Sequence, residues 1–319
     1  MTVREWTEYW QENINRPNVR PSTFAAHGYV LKNHILPILG EYELTDLTEQ
    51  DIRRFLGDRR ANGNHRQAIP LSQQTMRHIC TLLSNILNHA VDAGYIKSNP
   101  AASFRYSVKK QVCAQVMSKY EVMDYLDAAW ELGYLPMFTL ALEYGLRQRE
   151  LIALKWSDLN IETGVLTIQT SRVVERRELV SYGRETRQIQ LSEEAAEQLK
   201  LEHRKHPSSE VMFIHPGTLK PYSPAMVRLL HQRILEQAGL DHIPFKDLRH
   251  TYAVLAMEKG CTLKELAANL GHTRVRTTRR NYREYLPEGE RKWATGAICD
   301  ADMDDQKDAA DMLASLLPL

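Results

Sequence analysis

The sequence predicts a mostly helical chain with a small β-sheet: a helical front domain followed by a mixed α+β domain. Three observations carry this expectation. From Ser72 to Ala93 the residues Ile79, Leu82, Leu83, Ile86, Leu87 and Ala90 recur at helical spacing, with Val91 beside them. Nothing before residue 100 alternates as a strand does. Farther on, 165–170 and 187–191 read as two strands joined by a charged hairpin.

Taken in order, Trp6, Tyr9 and Trp10 open an amphipathic stretch. Pro21-Ser22-Thr23 reads as a turn and N-cap before a helix carrying Phe24, Tyr29 and Leu31. Pro37 and Gly40 are expected to break the chain. Thr48 with Asp51 marks a helix start whose apolar face is Ile52 and Phe55. The long helix from Ser72 ends at Gly94, with Asn99-Pro100 beyond it. Residues 101–117, with Lys109-Lys110, lack periodicity and read as a linker. Ser118-Lys119-Tyr120-Glu121 forms a capping box that opens the second domain. Helices then fit 119–132, 135–143 and 147–156, and, after the strands, 192–205, 223–238, 246–259, 262–270 and 277–285. Val211–Ile214 fits a further short strand. The domain boundaries expected are 1–104, a linker 105–117, 118–290, and a tail 291–319.

Composition excludes several classes. The chain has 319 residues, 43% hydrophobic and 25% charged, as in ordinary globular proteins. No apolar run reaches membrane-span length, and the N-terminus has no signal core, so a cytoplasmic protein is expected. Cys80, Cys113, Cys261 and Cys299 are scattered, against a disulfide framework or a zinc site. Residues 1–110 carry 14 basic against 10 acidic side chains, and the tail three against six. A basic front is compatible with nucleic acid and does not demand it.

Three segments could hold chemistry. In Glu143-Tyr144-Gly145-Leu146-Arg147-Gln148-Arg149-Glu150-Leu151, Gly145 interrupts a helix so that Arg147 heads the next one. The plain alternative is an Arg147–Glu150 surface pair. In Lys246-Asp247-Leu248-Arg249-His250-Thr251-Tyr252, the residues Leu248, Tyr252 and Leu255 mark a buried stripe, and Lys246 and Arg249 share another face. Two converging cations suit a phosphate; a solvated basic face is the plain alternative. In Leu270-Gly271-His272-Thr273, Gly271 reads as a C-cap, and Tyr282 follows ten residues after His272 on a basic segment. A tyrosine among arginines suits attack on phosphate; an ordinary half-buried core tyrosine is the alternative.

Together these motifs, in this order around a strand hairpin, resemble the tyrosine recombinases, or phage integrase family. The front half is similar to that family's helical, SAM-like core-binding domain, through Pro21-Ser22-Thr23, His34-Ile35-Leu36-Pro37, Leu44-Thr45-Asp46-Leu47-Thr48 and Ile96-Lys97-Ser98-Asn99-Pro100. The resemblance spans residues 3–287.

The resemblance implies a site-specific recombinase that cuts and rejoins DNA through a 3′-phosphotyrosyl link, for integration or excision of a phage or other mobile element. It implies that neither ATP nor a metal is needed. Arg147 and Arg249 would clamp the phosphate, Tyr282 would attack, His272 would donate a hydrogen bond to the phosphate, and Lys246 stands where the family usually has histidine. Guanidinium charge is expected to favour the Tyr282 phenolate. The usual hairpin lysine is missing: Arg187-Gln188-Ile189-Gln190-Leu191 matches the strand, but Ser181 and Tyr182 hold the expected positions, and no lysine occurs from 156 to 199. Arg184 supplies charge but not a proton; Tyr182 and Lys246 are the other candidates for the acid. An impaired relative that only binds DNA, and a topoisomerase-like relaxase, are the competing readings.

The implied partners are double-stranded attachment-site DNA gripped in a two-domain clamp, a homotetramer on that DNA, and an excisionase or directionality factor. Met312–Leu317 suits docking on a neighbouring protomer, or a solvated tail. Arg77 and His78 are candidates for reading bases, and His203, His206 and His215 form a weak metal candidate.

Overall fold

The computed structural model describes residues 1–63, 70–106, 114–169, 172–175, 178–181 and 186–286. The chain divides into two compact units, Met1–Val112 and Cys113–Leu319.

The first unit is helical. Its elements are α1 (Val3–Trp10), α2 (Arg16–Asn18), α3 (Pro21–Val30), α4 (Leu36–Leu39), α5 (Glu49–Asn62) and α6 (Gln73–Asp92). Local side-chain hydrogen bonds set several starts: Thr2 with Glu5, and Thr48 with Asp51, close reciprocal capping boxes, and Ser72 caps α6. Two sequence expectations are corrected. Pro21 is itself the first helical residue of α3, after Arg20, so Thr23 lies inside the helix. Pro37 does not break the chain either. A π-turn over Leu31–Ile35 leads into α4, where Pro37 sits in the first turn. The widened turn shifts the i−4 register that a proline ring would otherwise strike. Apolar faces of these helices meet in one core built on Trp6, Trp10, Ile35, Phe55, Ile79 and Leu83. The indole nitrogen of Trp6 donates to the Ile86 carbonyl at 3.0 Å, so its polar edge is satisfied in that core.

The second unit contains α7 (Lys119–Glu131), α8 (Leu135–Glu143), α9 (Gln148–Ile152), β1 (Leu159–Asn160), β2 (Val165–Gln169), β3 (Arg172–Glu175), β4 (Glu178–Ser181), β5 (Thr186–Gln190), α10 (Glu193–Lys205), β6 (Ile214–His215), β7 (Lys220–Pro221), α11 (Pro224–Gln237), α12 (Lys246–Glu258), α13 (Leu263–Leu270) and α14 (Val275–Tyr282). A 3₁₀ turn, Arg283–Tyr285, follows α14. The capping box of Ser118 and Glu121 opens α7 as expected. The main sheet has order β1-β2-β5, antiparallel, with Leu166 opposite Ile189. β3 and β4 make a separate hairpin.

Three expectations change here. α9 stops at Ile152 instead of continuing to 156, because the following residues pair with 210–212: Met212 donates to Leu154 at 2.9 Å and Trp156 to Glu210 at 3.0 Å. The short strand expected at 211–214 is Ile214–His215. On α12 the buried residues are Asp247, Leu248, Thr251, Ala253 and Val254, while Tyr252 and Leu255 are half-buried. The cause is a segment lying along α12. Asp247 Oδ2 accepts from the Gln115 amide and Thr251 Oγ1 from the Met117 amide, each at 3.2 Å. The Tyr285 hydroxyl donates to the Ala114 carbonyl at 2.9 Å. Polar side chains are buried there to satisfy a distant stretch of backbone.

Candidate active site

The site forms where α9, α12, α13, α14 and β5 converge. Gly145, with φ +63°, ends the chain's run out of α8. A side chain there would meet Tyr252 Cδ1 at 2.5 Å, so the close approach of α12 requires glycine. The Gly145 carbonyl accepts from Arg249 Nη1 at 2.7 Å.

Arg249 comes from the first turns of α12 and also donates through Nη2 to the Leu270 carbonyl, at the end of α13. Two backbone carbonyls therefore aim one guanidinium. Burial and the charge of Arg147 lower Arg249 to about 10, which leaves it protonated at neutral pH. Arg147 is the N-cap of α9, and its backbone amide donates to Glu150 Oε2 at 2.8 Å. Its Nη1 donates to Glu150 Oε1 at 2.8 Å and its Nη2 reaches Gly271 O at 3.5 Å. The Arg147 side chain keeps 41% of its surface exposed, against 3% for Glu150, so the cation has an open side and its counter-ion does not.

Glu150 is thus no partner in a surface pair. Arg187, on β5, grips both of its oxygens at 2.8 Å and donates through Nε to Asn269 O at 3.0 Å. Burial by itself would raise the Glu150 carboxyl, but hydrogen bonding and charge from Arg187, with help from Arg147, hold it down at about 2. Two fixed cations and one fixed anion leave net positive charge beside the open face of Arg147. The Gly271 turn (φ +63°) packs on Arg187, whose Nη1 would lie 2.9 Å from any added side chain.

His272 follows this turn. Its Nδ1 is 2.7 Å from Thr278 Oγ1 and its Nε2 is 3.3 Å from Arg249 Nη2. Burial, then the charges of Arg249, Arg147 and Arg187, lower His272 to about 4, so the ring is neutral at pH 7.

Tyr282 ends α14 and is 1% exposed, its ring 5.3 Å from that of His250 in an edge contact. Its hydroxyl makes no hydrogen bond among the described residues. The expectation of a favoured phenolate is corrected: burial pushes the phenol up to about 12, outweighing the opposing charges of Arg249 and Arg147, while Asp247 adds to the rise.

The structure therefore gathers Arg147, Arg249, His272 and Tyr282. Lys246 stands exposed at the first position of α12 and makes no hydrogen bond or ion pair among the described residues. At the hairpin, Gln169 donates to Ser181 Oγ at 2.9 Å; Tyr182 and Arg184 lie outside the described residues, as do Met312–Leu317 and Lys109-Lys110. Sequence reasoning passed over Glu150, Arg187 and Thr278 as parts of the site. The match of Arg187 to the strand pattern was the one available signal. Arg77 and His78 are exposed on α6, His78 bonded to Gln74 at 2.8 Å. His203 lies against Trp156 in a tilted ring contact, with centroids 4.3 Å apart. Among the described residues no three His, Cys, Asp or Glu side chains are grouped to hold a metal ion, and no helix is long and apolar enough to cross a membrane.

Comparison with known proteins bears on this arrangement. The model for the phage integrase family matches residues 114–288, and that for the phage integrase N-terminal SAM-like domain matches residues 2–58. A tyrosine recombinase XerC-like protein of Caldanaerobacter subterraneus subsp. tengcongensis is 24% identical, over 90% of this chain and 80% of its own. A putative prophage phiRv2 integrase of Mycobacterium tuberculosis is 24% identical, over 84% of this chain and 71% of its own. Among solved structures, a Tn1549 transposon integrase in complex with transposon right end DNA superposes with a TM-score of 0.72 at 16% identity, covering 97% of this chain and all of that one (100%). A lambda integrase tetramer bound to a Holliday junction gives 0.67 at 21% identity, covering 86% and 78%. At these identities the structural likeness speaks for the fold.

Proposed function

Because the chain belongs to the phage integrase family, we propose that Tyr282 is its nucleophile and that Arg147 and Arg249 clamp the scissile phosphate, with His272 and Lys246 assisting. The protein is a site-specific DNA recombinase, a tyrosine recombinase that cuts and rejoins DNA. In the reaction so assigned, the Tyr282 oxygen attacks phosphorus and the bond to the 5′-oxygen breaks, leaving a 3′-phosphotyrosyl link and a 5′-hydroxyl. A 5′-hydroxyl then attacks the link, which restores the DNA and releases Tyr282. The backbone bond energy is carried through the covalent link.

The observation that supports this assignment is the convergence of two guanidinium groups on one histidine and one tyrosine, with Arg249 aimed by carbonyls from two different segments. Donors held in place before the reaction stabilise charge growing on the non-bridging oxygens without reorganising. A phenol held up at about 12 is neutral at pH 7, so its proton must leave as it attacks. Lys246, exposed and unengaged among the described residues, is available to the DNA. The proton donor for the 5′-oxygen is assigned to Lys246 or Tyr182, with Arg184 supplying charge only.

The same reading takes four copies acting on two attachment sites, in keeping with the lambda integrase tetramer on its junction, and a directionality factor as a further partner. Its test uses cells carrying the native locus: denaturing lysis, DNA digestion, and mass spectrometry of the peptide containing Tyr282. A nucleotide adduct on Tyr282 is expected; an adduct on another residue, or none while the protein occupies the locus, overturns the assignment.

A further inference from the structure

We propose that Thr278 is a positioning residue that lets His272 exchange one tautomer for the other when a phosphate enters the site; this rests on the recombinase reading given above. The argument starts from which groups can only donate. A guanidinium has no acceptor. Arg249 Nη2 lies 3.3 Å from His272 Nε2, so that nitrogen accepts and the ring proton sits on Nδ1, where Thr278 Oγ1 accepts it at 2.7 Å. A phosphate oxygen has the opposite character and only accepts. His272 can hydrogen-bond such an oxygen through Nε2 only if the proton is there.

The ring is neutral, so the change removes a proton from Nδ1 and adds one to Nε2, with solvent water carrying it and the charge unchanged. Nδ1 then needs a donor. Among side-chain partners a hydroxyl suits both states, because it can accept from Nδ1–H or donate to bare Nδ1. A carboxylate would hold the first tautomer and an ammonium the second. Thr278 is fully buried (0% exposed), so water does not substitute for it. It also lies one turn before Tyr282 on the buried face of α14, so the helix that carries the nucleophile carries the partner that orients His272.

The test uses the full chain with ¹⁵N-labelled histidine, and long-range proton–nitrogen spectra that report the His272 tautomer. Inorganic phosphate is the probe. Nδ1–H is expected in the free protein and Nε2–H at saturating phosphate. Thr278→Val, matched in shape, should lose this exchange, and Thr278→Ser should keep it. With native-locus DNA, Thr278→Val should slow formation of the Tyr282 adduct by roughly 10- to 100-fold, the order of loss seen when a partner that orients a metal-bound imidazole is removed, at unchanged DNA affinity. Thr278→Ser should restore it.

A His272 that keeps Nδ1–H while phosphate shifts the Arg249 side-chain signals would overturn the proposal and leave the phosphate site standing. A Thr278→Ser as impaired as Thr278→Val would overturn it too, since methyl packing would then be what matters. Phosphate that moves neither the Arg249 nor the His272 signals would overturn the anion site itself, and the proposal with it.

Discussion

Tyr282 combines two demands that ordinarily conflict, since a nucleophile must reach its substrate and this phenol is a core residue at 1% exposure. Tyr282→Phe keeps the packing and removes the oxygen. It should abolish the covalent DNA adduct and leave DNA affinity nearly unchanged, as read by denaturing gel and by titration. Arg249 has a sharper signature. Arg249→Ala removes a donor aimed by Gly145 and Leu270 and should cost at least about 10²–10³-fold in cleavage rate; a loss below about tenfold would remove Arg249 from the clamp. Glu150 and Arg187 behave as one buried unit. Glu150→Gln leaves Arg187 without its anion and should destabilise the protein by about 3–5 kcal/mol. Adding Arg187→Met should recover part of that in urea unfolding, since an apolar pair replaces an uncompensated charge. The Glu150–Arg187 pairing was not legible from the residues alone. Arg187 and Glu150 are 37 positions apart, and no local period relates a strand to a helix start.

At the scale of elements, legibility followed the range of the interactions. Thr48, Ser72 and Ser118 cap helices by bonds that span three residues, so the sequence around each start contains the whole cause. Pro37 misled because the chain before it widens into a π-turn whose Leu31 and Ile35 are buried in the unit's core, which no local pattern announces. The stripe on α12 misled because Asp247 and Thr251 answer to amides at 115 and 117. Gly271 is the element-level test of the site. Gly271→Ala must hold a left-handed φ of +63° and displace Arg187 Nη1 from 2.9 Å. It should cost at least about 1 kcal/mol of stability and slow cleavage as well, because Arg187, Glu150 and Arg147 shift together. Unchanged cleavage in a folded variant would separate the turn from the clamp.

For the whole molecule, the second unit carries a pH dependence in its core. His231 is 2% exposed, with Tyr125 Oη 2.7 Å from Nδ1 and the Ile243 carbonyl 2.8 Å from Nε2. The carbonyl only accepts, so Nε2 carries the proton and Nδ1 accepts from the tyrosine. Burial lowers the ring to about 4 from an ordinary 6.5, despite the opposing Ile243 bond. The unfolded chain therefore binds the proton first as pH falls. Stability is fully present above about pH 6.5 and lost between there and pH 4, by about 3 kcal/mol for this group. His272 falls in the same window with the same sign. Urea midpoints at pH 7.5, 5.5 and 4 should trace the loss, and His231→Phe should flatten it; an equal slope in that variant would place the titration elsewhere. Association with DNA should weaken steeply with salt, because phosphate contacts release counterions.

The sequence by itself determined the class of protein, the order of its main helices and of the paired strands β2 and β5, and the four residue types that the site brings together. Those follow from short-range hydrogen bonds, from apolar periodicity, and from motif order along the chain. Only the tertiary structure decided that Tyr282 is a neutral buried phenol, that Arg187 and Glu150 brace Arg147, and which nitrogen His272 turns toward Arg249. Each of these depends on burial or on a bond between distant segments, and neither exists until the whole unit has packed.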